Sequence, residues 1–155
     1  MNGATDFALA RYSDNGTLDP SFGVGGKVTT DFAGSYDSVG SVVLQSDGKI
    51  VAGGWSVVDG VSSFALARYN SDGALDADFG AGGKVRTDFG GVSSQIFGIA
   101  LQLDGKIVVA GYANADGGFE FALARYSADG TVDAGFGRDG KVTTPFGAEQ
   151  GFSFA

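Results

Sequence analysis

Any chemistry in this chain has to come from aspartate. There is no His and no Cys, so Ser-His-Asp and Cys-His nucleophiles cannot be assembled, nor can His- or thiolate-ligated metal sites. Only Glu120 and Glu149 are glutamates among the 18 acidic residues, and neither recurs along the chain. A pair of aspartates would suffice for glycoside hydrolysis if one carboxyl were held protonated as the acid. No apolar stretch singles out an aspartate for that role, so no catalytic residue is expected.

Two other chemistries fit short segments less well than turns do. Asp14, Asn15 and Asp19 have the character of a calcium loop but lack the distal Glu of an EF-hand, so the expectation is no cofactor and no metal, with calcium as the alternative. Phe22-Gly23-Val24-Gly25-Gly26-Lys27 invites comparison with a phosphate-binding loop. Val28 follows where Ser or Thr is needed, and a strand follows where a helix N-terminus is needed. A Gly-rich turn explains the segment better.

Most charged residues recur at fixed spacing. Arg11, Arg68 and Arg125 are equivalent, as are Lys27, Lys84 and Lys141, Lys49 and Lys106, and Asp19, Asp76 and Asp133. Of the ten basic residues only Arg86 and Arg138 fall outside these sets. A charge repeated in every unit points to structural pairing. Asp76 is expected to accept from backbone N–H groups of the Phe79-Gly80 turn or from an Arg guanidinium.

The elements that must position these residues follow from a repeat. Phe-Ala-Leu-Ala-Arg-Tyr begins at Phe7, Phe64 and Phe121, a spacing of 57 residues each time. The chain reads as one repeat domain, 1–155, with units 7–63, 64–120 and a truncated 121–155. In the first unit, alternation of apolar and polar residues predicts strands over 7–13, 27–32, 41–45 and 49–55. Asn15-Gly16 and Asp47-Gly48 supply the positive φ angles that tight turns need. No segment shows helical periodicity, so the fold class is all-β. Four antiparallel strands per unit match the blade of a β-propeller, open or partial here, better than an open stack of sheets or a β-helix. Nine of the 13 Phe and the tyrosines Tyr12, Tyr69 and Tyr126 are repeat-equivalent, which assigns them to packing between strands and blades.

Composition narrows the partners. The net charge of −8 argues against nucleic acid, which demands clustered cations. No apolar run approaches transmembrane length, so no membrane insertion is expected. Met1–Asp6 has neither a basic nor an apolar stretch, so the sequence reads as lacking a signal peptide. Three full units would need 171 residues, 16 more than the 155 present, so the expectation is a fragment of a longer repeat protein. Homo-oligomerisation through unpaired terminal strands is the alternative.

The pattern F-A-L-A-R-Y, then D-G-x-L-D-x-x-F-G-x-G-G-K-V, then L-Q-x-D-G-K-I-V-x-x-G resembles the bacterial delta-60 repeat. It is carried by Phe64–Tyr69, Asp72–Val85 and Leu101–Gly111, with matching copies from Phe7 and Phe121. The third copy departs from it at Arg138-Asp139 and Pro145 and lacks the L-Q-x-D-G-K hairpin. The resemblance implies a β-propeller of unknown function and a secreted or cell-surface setting within a large bacterial protein.

Between units the Leu-Asp-x-x-Phe-Gly and Asp-Gly-Lys turns barely change, and an antiparallel meander puts both on one end. The divergent connections, 33–40 with 56–63 and 90–96 with 113–120, fall on the other end and read as loops. Binding residues gather on loops held by a rigid scaffold. The candidates for a ligand face are therefore Trp55 and Tyr112, equivalent aromatics at the mouths of these loops, with Tyr36, Asp37, Asp59, Asn114 and Asp116. Arg11, Arg68, Arg125, Asp19, Asp76 and Asp133 are structural positions. The expected function is a non-enzymatic module for protein or glycan interaction or scaffolding. An Asp-dependent hydrolase or lyase and a purely structural spacer are the alternatives.

Overall fold

The computed structural model describes residues 5–32, 36–115 and 118–145. Ten strands occur among them: β1 (Phe7–Ala10), β2 (Lys27–Thr30), β3 (Tyr36–Leu44), β4 (Ile50–Val58), β5 (Val61–Tyr69), β6 (Lys84–Thr87), β7 (Ser93–Leu101), β8 (Ile107–Ala115), β9 (Gly118–Tyr126) and β10 (Lys141–Pro145). No helix long and apolar enough to cross a membrane occurs among the described residues. Strands β3, β4, β5 and β6 pair antiparallel in that order as one blade, and β7, β8, β9 and β10 as a second. The β1–β2 pair supplies the equivalents of β5 and β6 in a preceding blade. Adjacent blades touch through single parallel bridges, Thr5 with Tyr36 and Ser62 with Ser93, one repeat apart. The chain is all-β and built of propeller blades, and the ring is not closed.

The strands run further than the sequence pattern indicates. Segment 56–63, expected as a loop, is strand except for Asp59 and Gly60, whose φ angles of 51° and 79° make a two-residue hairpin of the kind strand twist favours. Most of the expected loop 33–40 likewise belongs to β3, and β7, β8 and β9 consume most of 90–96 and 113–120. The physical reason is that serines occupy the inward positions. Ser56 and Ser63 are 0% and 3% exposed, so the strand face that is normally apolar is polar here.

The core lies between blades rather than within them. Phe7 and Phe32 of the first pair, with ring centroids 4.7 Å apart, pack on Ala52, Ala65, Ala67 and Tyr69. Val51, Phe64, Leu66 and Phe79 meet Ile96, Ile107, Val109 and Ala124 across the next interface. Each interface carries one buried hydroxyl bond at the same repeat position. Tyr69 Oη donates to Thr30 Oγ1 at 2.8 Å, and Tyr126 Oη to Thr87 Oγ1 at 2.7 Å. Burial raises both phenol pKa values, so both stay protonated as donors. Tyr126→Phe leaves the buried Thr87 hydroxyl without this donor and is expected to cost about 1 kcal/mol, read as a lower denaturant midpoint with unchanged m-value.

Both long inner strands bulge at one residue. Register shifts between Val39 and Ser41 and between Ile96 and Gly98 leave Gly40 and Phe97 as the extra residues. Gly40 sits against the second blade, where an added Cβ would lie 2.2 Å from the Ile96 carbonyl oxygen. Its equivalent, Phe97, is 37% exposed and rests on the Tyr112 ring with centroids 5.7 Å apart.

Candidate functional site: two unlike ends

The end carrying the repeated turns is a row of clamps. Asp76 Oδ2 accepts from Arg68 Nε at 2.6 Å and from Lys49 Nζ at 2.7 Å, and its Oδ1 accepts the Asp78 N–H at 3.2 Å. The Arg68 guanidinium also lies 4.6 Å over the Phe79 ring and donates to the Ala128 carbonyl of the next unit. One side chain thereby ties its own turn, its own blade and the neighbouring blade together. The expected pairing of Asp76 with an Arg is present. The backbone donor differs: the side chain takes Asp78 N–H, while Phe79 N–H goes to the Asp76 carbonyl.

The same clamp recurs on either side. Arg11 bonds Asp19 at 2.9 Å and stacks on Phe22, and Arg125 bonds Asp133 at 2.8 Å and stacks on Phe136. Lys106 reaches Asp133 at 3.1 Å as Lys49 reaches Asp76. All three carboxyls are held below the usual range: Asp19 first by the Ser21 hydroxyl, Asp76 by Lys49, and Asp133 by Lys106. The calcium reading of Asp14, Asn15 and Asp19 meets a specific obstacle. Asp19 gives Oδ1 to Ser21 and Oδ2 to Arg11, and Asn15 Oδ1 accepts from the Thr17 amide and hydroxyl. The Gly-rich turn spends its donors likewise, Gly23 N–H on the Asp72 carbonyl and Gly26 N–H on that of Phe22.

At the opposite end Lys84 Nζ on the Asp31 carbonyl and Lys141 Nζ on the Asp88 carbonyl recur one repeat apart, but the other side-chain contacts among the described residues differ between units. Arg86, whose equivalents are Thr29 and Thr143, donates from Nε to Ser56 Oγ at 2.7 Å and from Nη2 to Ser63 Oγ at 3.2 Å. The Ser62 hydroxyl donates to the Ser94 carbonyl, and the Ser94 hydroxyl donates back to that of Ser62, across the blade junction. Beside them, one carboxylate oxygen each of Asp6, Asp31 and Asp37 lie within 4.8 Å of one another.

The proposed ligand-face residues distribute unevenly over this end. Tyr36 is 55% exposed and Asp59 is exposed in its hairpin. Asp37 is not a surface residue: it is 2% exposed, because its Oδ2 folds in to accept the Phe32 N–H at 2.7 Å. Burial raises its pKa, with Asp31 and Asp6 adding to the effect. Trp55 and Tyr112 do not rim loops but sit within β4 and β8. Trp55 pairs with Phe64, on the face turned toward the second blade. Tyr112 occupies the same position one blade on, against Phe97 and Phe119, so the second sheet separates the two aromatics. Asn114 is half-buried in β8, and Asp116 lies outside the described residues.

Sequence reasoning missed Arg86, Asp6, Asp31, Phe97 and Phe119. One signal for them existed. Four of the five depart from an equivalent in a neighbouring unit, Arg86 from Thr29, Asp6 from Ser63, Phe97 from Gly40 and Phe119 from Ser62, whereas Asp31 is matched by Asp88.

A family model described as "Domain of unknown function (DUF5122) beta-propeller" matches residues 1–22, 45–79 and 102–136, well over half of the chain. The matched segments hold the Asp-Gly-Lys turns, the two middle strands of each blade and the clamp aspartates. The unmatched 23–44 and 80–101 hold the outer strand, the divergent connections 33–40 and 90–96 and the bulged inner strand, whereas the divergent 56–63 and 113–120 fall inside matched segments. No curated protein and no solved structure matches the chain. With repeat, blade and family signature in agreement, the chain belongs to the DUF5122 β-propeller family.

Proposed function

We propose that the chain is a non-enzymatic propeller module that engages a protein or glycan through the end bearing the non-repeating residues. The carrying observation is the contrast between the ends. One end repeats the same Arg–Asp–Phe clamp three times, as folding requires, while the other changes most of its side chains from unit to unit on equally regular strands. Regular strands with unconstrained side chains make a rigid platform whose chemistry is free to vary. Tyr36 supplies an exposed aromatic face and Asp59 an exposed acceptor, a combination suited to sugar hydroxyls or to a protein surface. The resemblance to delta-60 repeats supports placement within a larger bacterial exported or surface protein.

The rival reading, an Asp-dependent hydrolase or lyase, draws on one observation. Asp37 has a raised pKa beside two further carboxyls, the pattern of an acid and its partner. Its 2% exposure keeps it from a substrate, which favours the binding reading.

A glycan array probed with the full chain, followed by titration of each hit, tests the proposal. Tyr36→Ala and Asp59→Ala are expected to weaken binding at least about tenfold, as loss of a central contact does. Leu103→Ser, on the clamp end, is expected to leave it unchanged. A ligand indifferent to the first two substitutions, or lost with the third, would overturn the assignment.

A further inference from the structure

The geometry points to a calcium site at the junction of the first two blades, formed by Asp6, Asp31 and Asp37. These three residues come from separate segments, one before β1, one after β2 and one in β3. Their nearest carboxylate oxygens fall within 4.8 Å of one another, a span that one ion with Ca–O distances of about 2.4 Å can bridge. The cluster alone would prove little, since exposed acidic groups often lie together. The second observation is Asp37 itself. Its side chain is 2% exposed, and its Oδ1 is buried without a hydrogen-bond partner. A buried carboxylate oxygen left unmatched is costly, and a cation is what the other two carboxyls would share with it.

The surroundings hold this oxygen in place. Oδ2 is fixed by the Phe32 N–H at 2.7 Å, Asp37 N–H donates to the Thr5 carbonyl at 2.7 Å, and the Thr5 hydroxyl donates to the Asp37 carbonyl at 3.1 Å. Asp6 therefore follows a residue bonded at two points to Asp37. Of the nearby cations, Arg86 hydrogen-bonds Ser56 and Ser63 and acts on Asp37 only through its charge, more weakly than Asp31 and Asp6 do. Lys84 Nζ bonds the main-chain carbonyl of Asp31 at 3.0 Å rather than a carboxylate oxygen.

The next blade junction serves as an internal comparison. There the equivalent residues are Ser63, Asp88 and Ser94, and the Ser94 hydroxyl is satisfied by the Ser62 carbonyl. Two of the three carboxyls are thus absent where, among the described residues, the same fold has no buried orphan oxygen to match, so the trio is not an architectural requirement of the blade. All-oxygen ligands exclude a preference for soft metals. Calcium tolerates irregular shells and completes them with water, whereas magnesium demands a near-ideal octahedron; ligands from three independent segments suit the former. Asp6 and Asp31 are exposed, which leaves room for those waters.

Calorimetric titration of the chelator-treated full chain with calcium chloride tests the assignment, with the thermal midpoint as a second readout. One site is expected, with Kd at or below the 10⁻⁴–10⁻³ M range of extracellular calcium modules, and a midpoint that rises with calcium. Asp37→Ser, which installs the residue the next unit carries, and Asp6→Asn, at an exposed position, are each expected to weaken binding at least about tenfold. Asp139→Asn, on the opposite end of the second blade, should leave it intact. Absence of heat and of a midpoint shift up to about 10 mM calcium, beyond the weakest such sites, would overturn the assignment. So would undiminished binding in Asp37→Ser and Asp6→Asn, or an equal loss in Asp139→Asn, which would mark diffuse acidity. Neither result bears on the glycan or protein contact proposed above, because Tyr36 and Asp59 are not ligands of the ion.

Discussion

Replacing Asp76 with alanine is expected to destabilise the protein by about 3 kcal/mol, the low end for removing one partner of a buried ion pair. Arg68 is the reason. Its side chain is 7% exposed, so it cannot recover water once the carboxylate is gone, and what remain to it are the Ala128 carbonyl, the Phe79 ring and a weak interaction with the Asp129 charge. Lys49, 29% exposed, can turn outward and loses less. In a chain of this length the thermal midpoint should fall by roughly 6–12 °C. Asp19→Ala removes the same bond from a clamp whose side chains are 31% and 25% exposed, and should cost clearly less. The pH dependence carries the same signature. Because the folded pKa of Asp76 lies below its ordinary 3.8, the clamp contributes fully above that pH and is lost as pH falls through the lower folded value. The gap between wild type and Asp76→Ala should therefore be constant near neutrality and close below about pH 4. Urea unfolding at a series of pH values checks both statements; equal midpoints at pH 7 would refute them.

Gly54→Ala should be at least as damaging. A Cβ there would stand 1.8 Å from the Ser38 carbonyl oxygen, 2.8 Å from its carbon and 3.0 Å from Gly40 N, all of them main-chain atoms of β3. No side chain can move aside, so the bulge at Val39–Ser41 has to shift and with it the register of the inner strand. Overpacking into a yielding core costs about 1–3 kcal/mol; against two fixed backbones the upper figure is the expectation. Gly98→Ala is the control, since its Cβ would meet nothing within 4 Å. It should be neutral or slightly stabilising through reduced freedom of the unfolded chain. Trp55, the single tryptophan, adjoins Gly54 and reports the disturbance through its fluorescence.

The features that repeat are readable in the residues, and those that do not are hidden for two reasons. The 57-residue period, the Asp-Gly turns and the Arg–Asp pairing are each written several times over, so chance resemblance cancels. Segment 56–63 reads as a loop in the sequence because it varies between units. Yet Val57-Val58-Asp59-Gly60-Val61 is itself a turn between β-branched residues, and the structure makes it a hairpin. Variation between units signalled freedom of side chains rather than irregularity of backbone. The aspartate trio is hidden as a group for a second reason, although Asp37 is a sequence candidate and Asp6 departs from Ser63. Asp6 and Asp37 meet only because the first strand pair packs against the following blade, and no periodicity within a unit encodes contacts between units. Asp37 looked like a surface acid until the Phe32 amide drew it inward. Trp55 and Tyr112 hold equivalent places, as the repeat spacing indicates, but strand alternation turns them toward the sheet face rather than toward an end.

The bulged residue of the inner strand makes the units unequal as building blocks. Gly40 lets the following blade bring its Ile96 carbonyl to within 2.2 Å of where a Cβ would be. Phe97 fills the same place in the following unit with a ring already leaning on Tyr112. A tandem array made from copies of 7–63 could pass this contact from blade to blade without interruption. One made from copies of 64–120 would meet an aromatic ring at each junction and need a wider spacing or a different rotation between neighbours. The two units are thus not interchangeable modules, and their order along the chain is itself structural information.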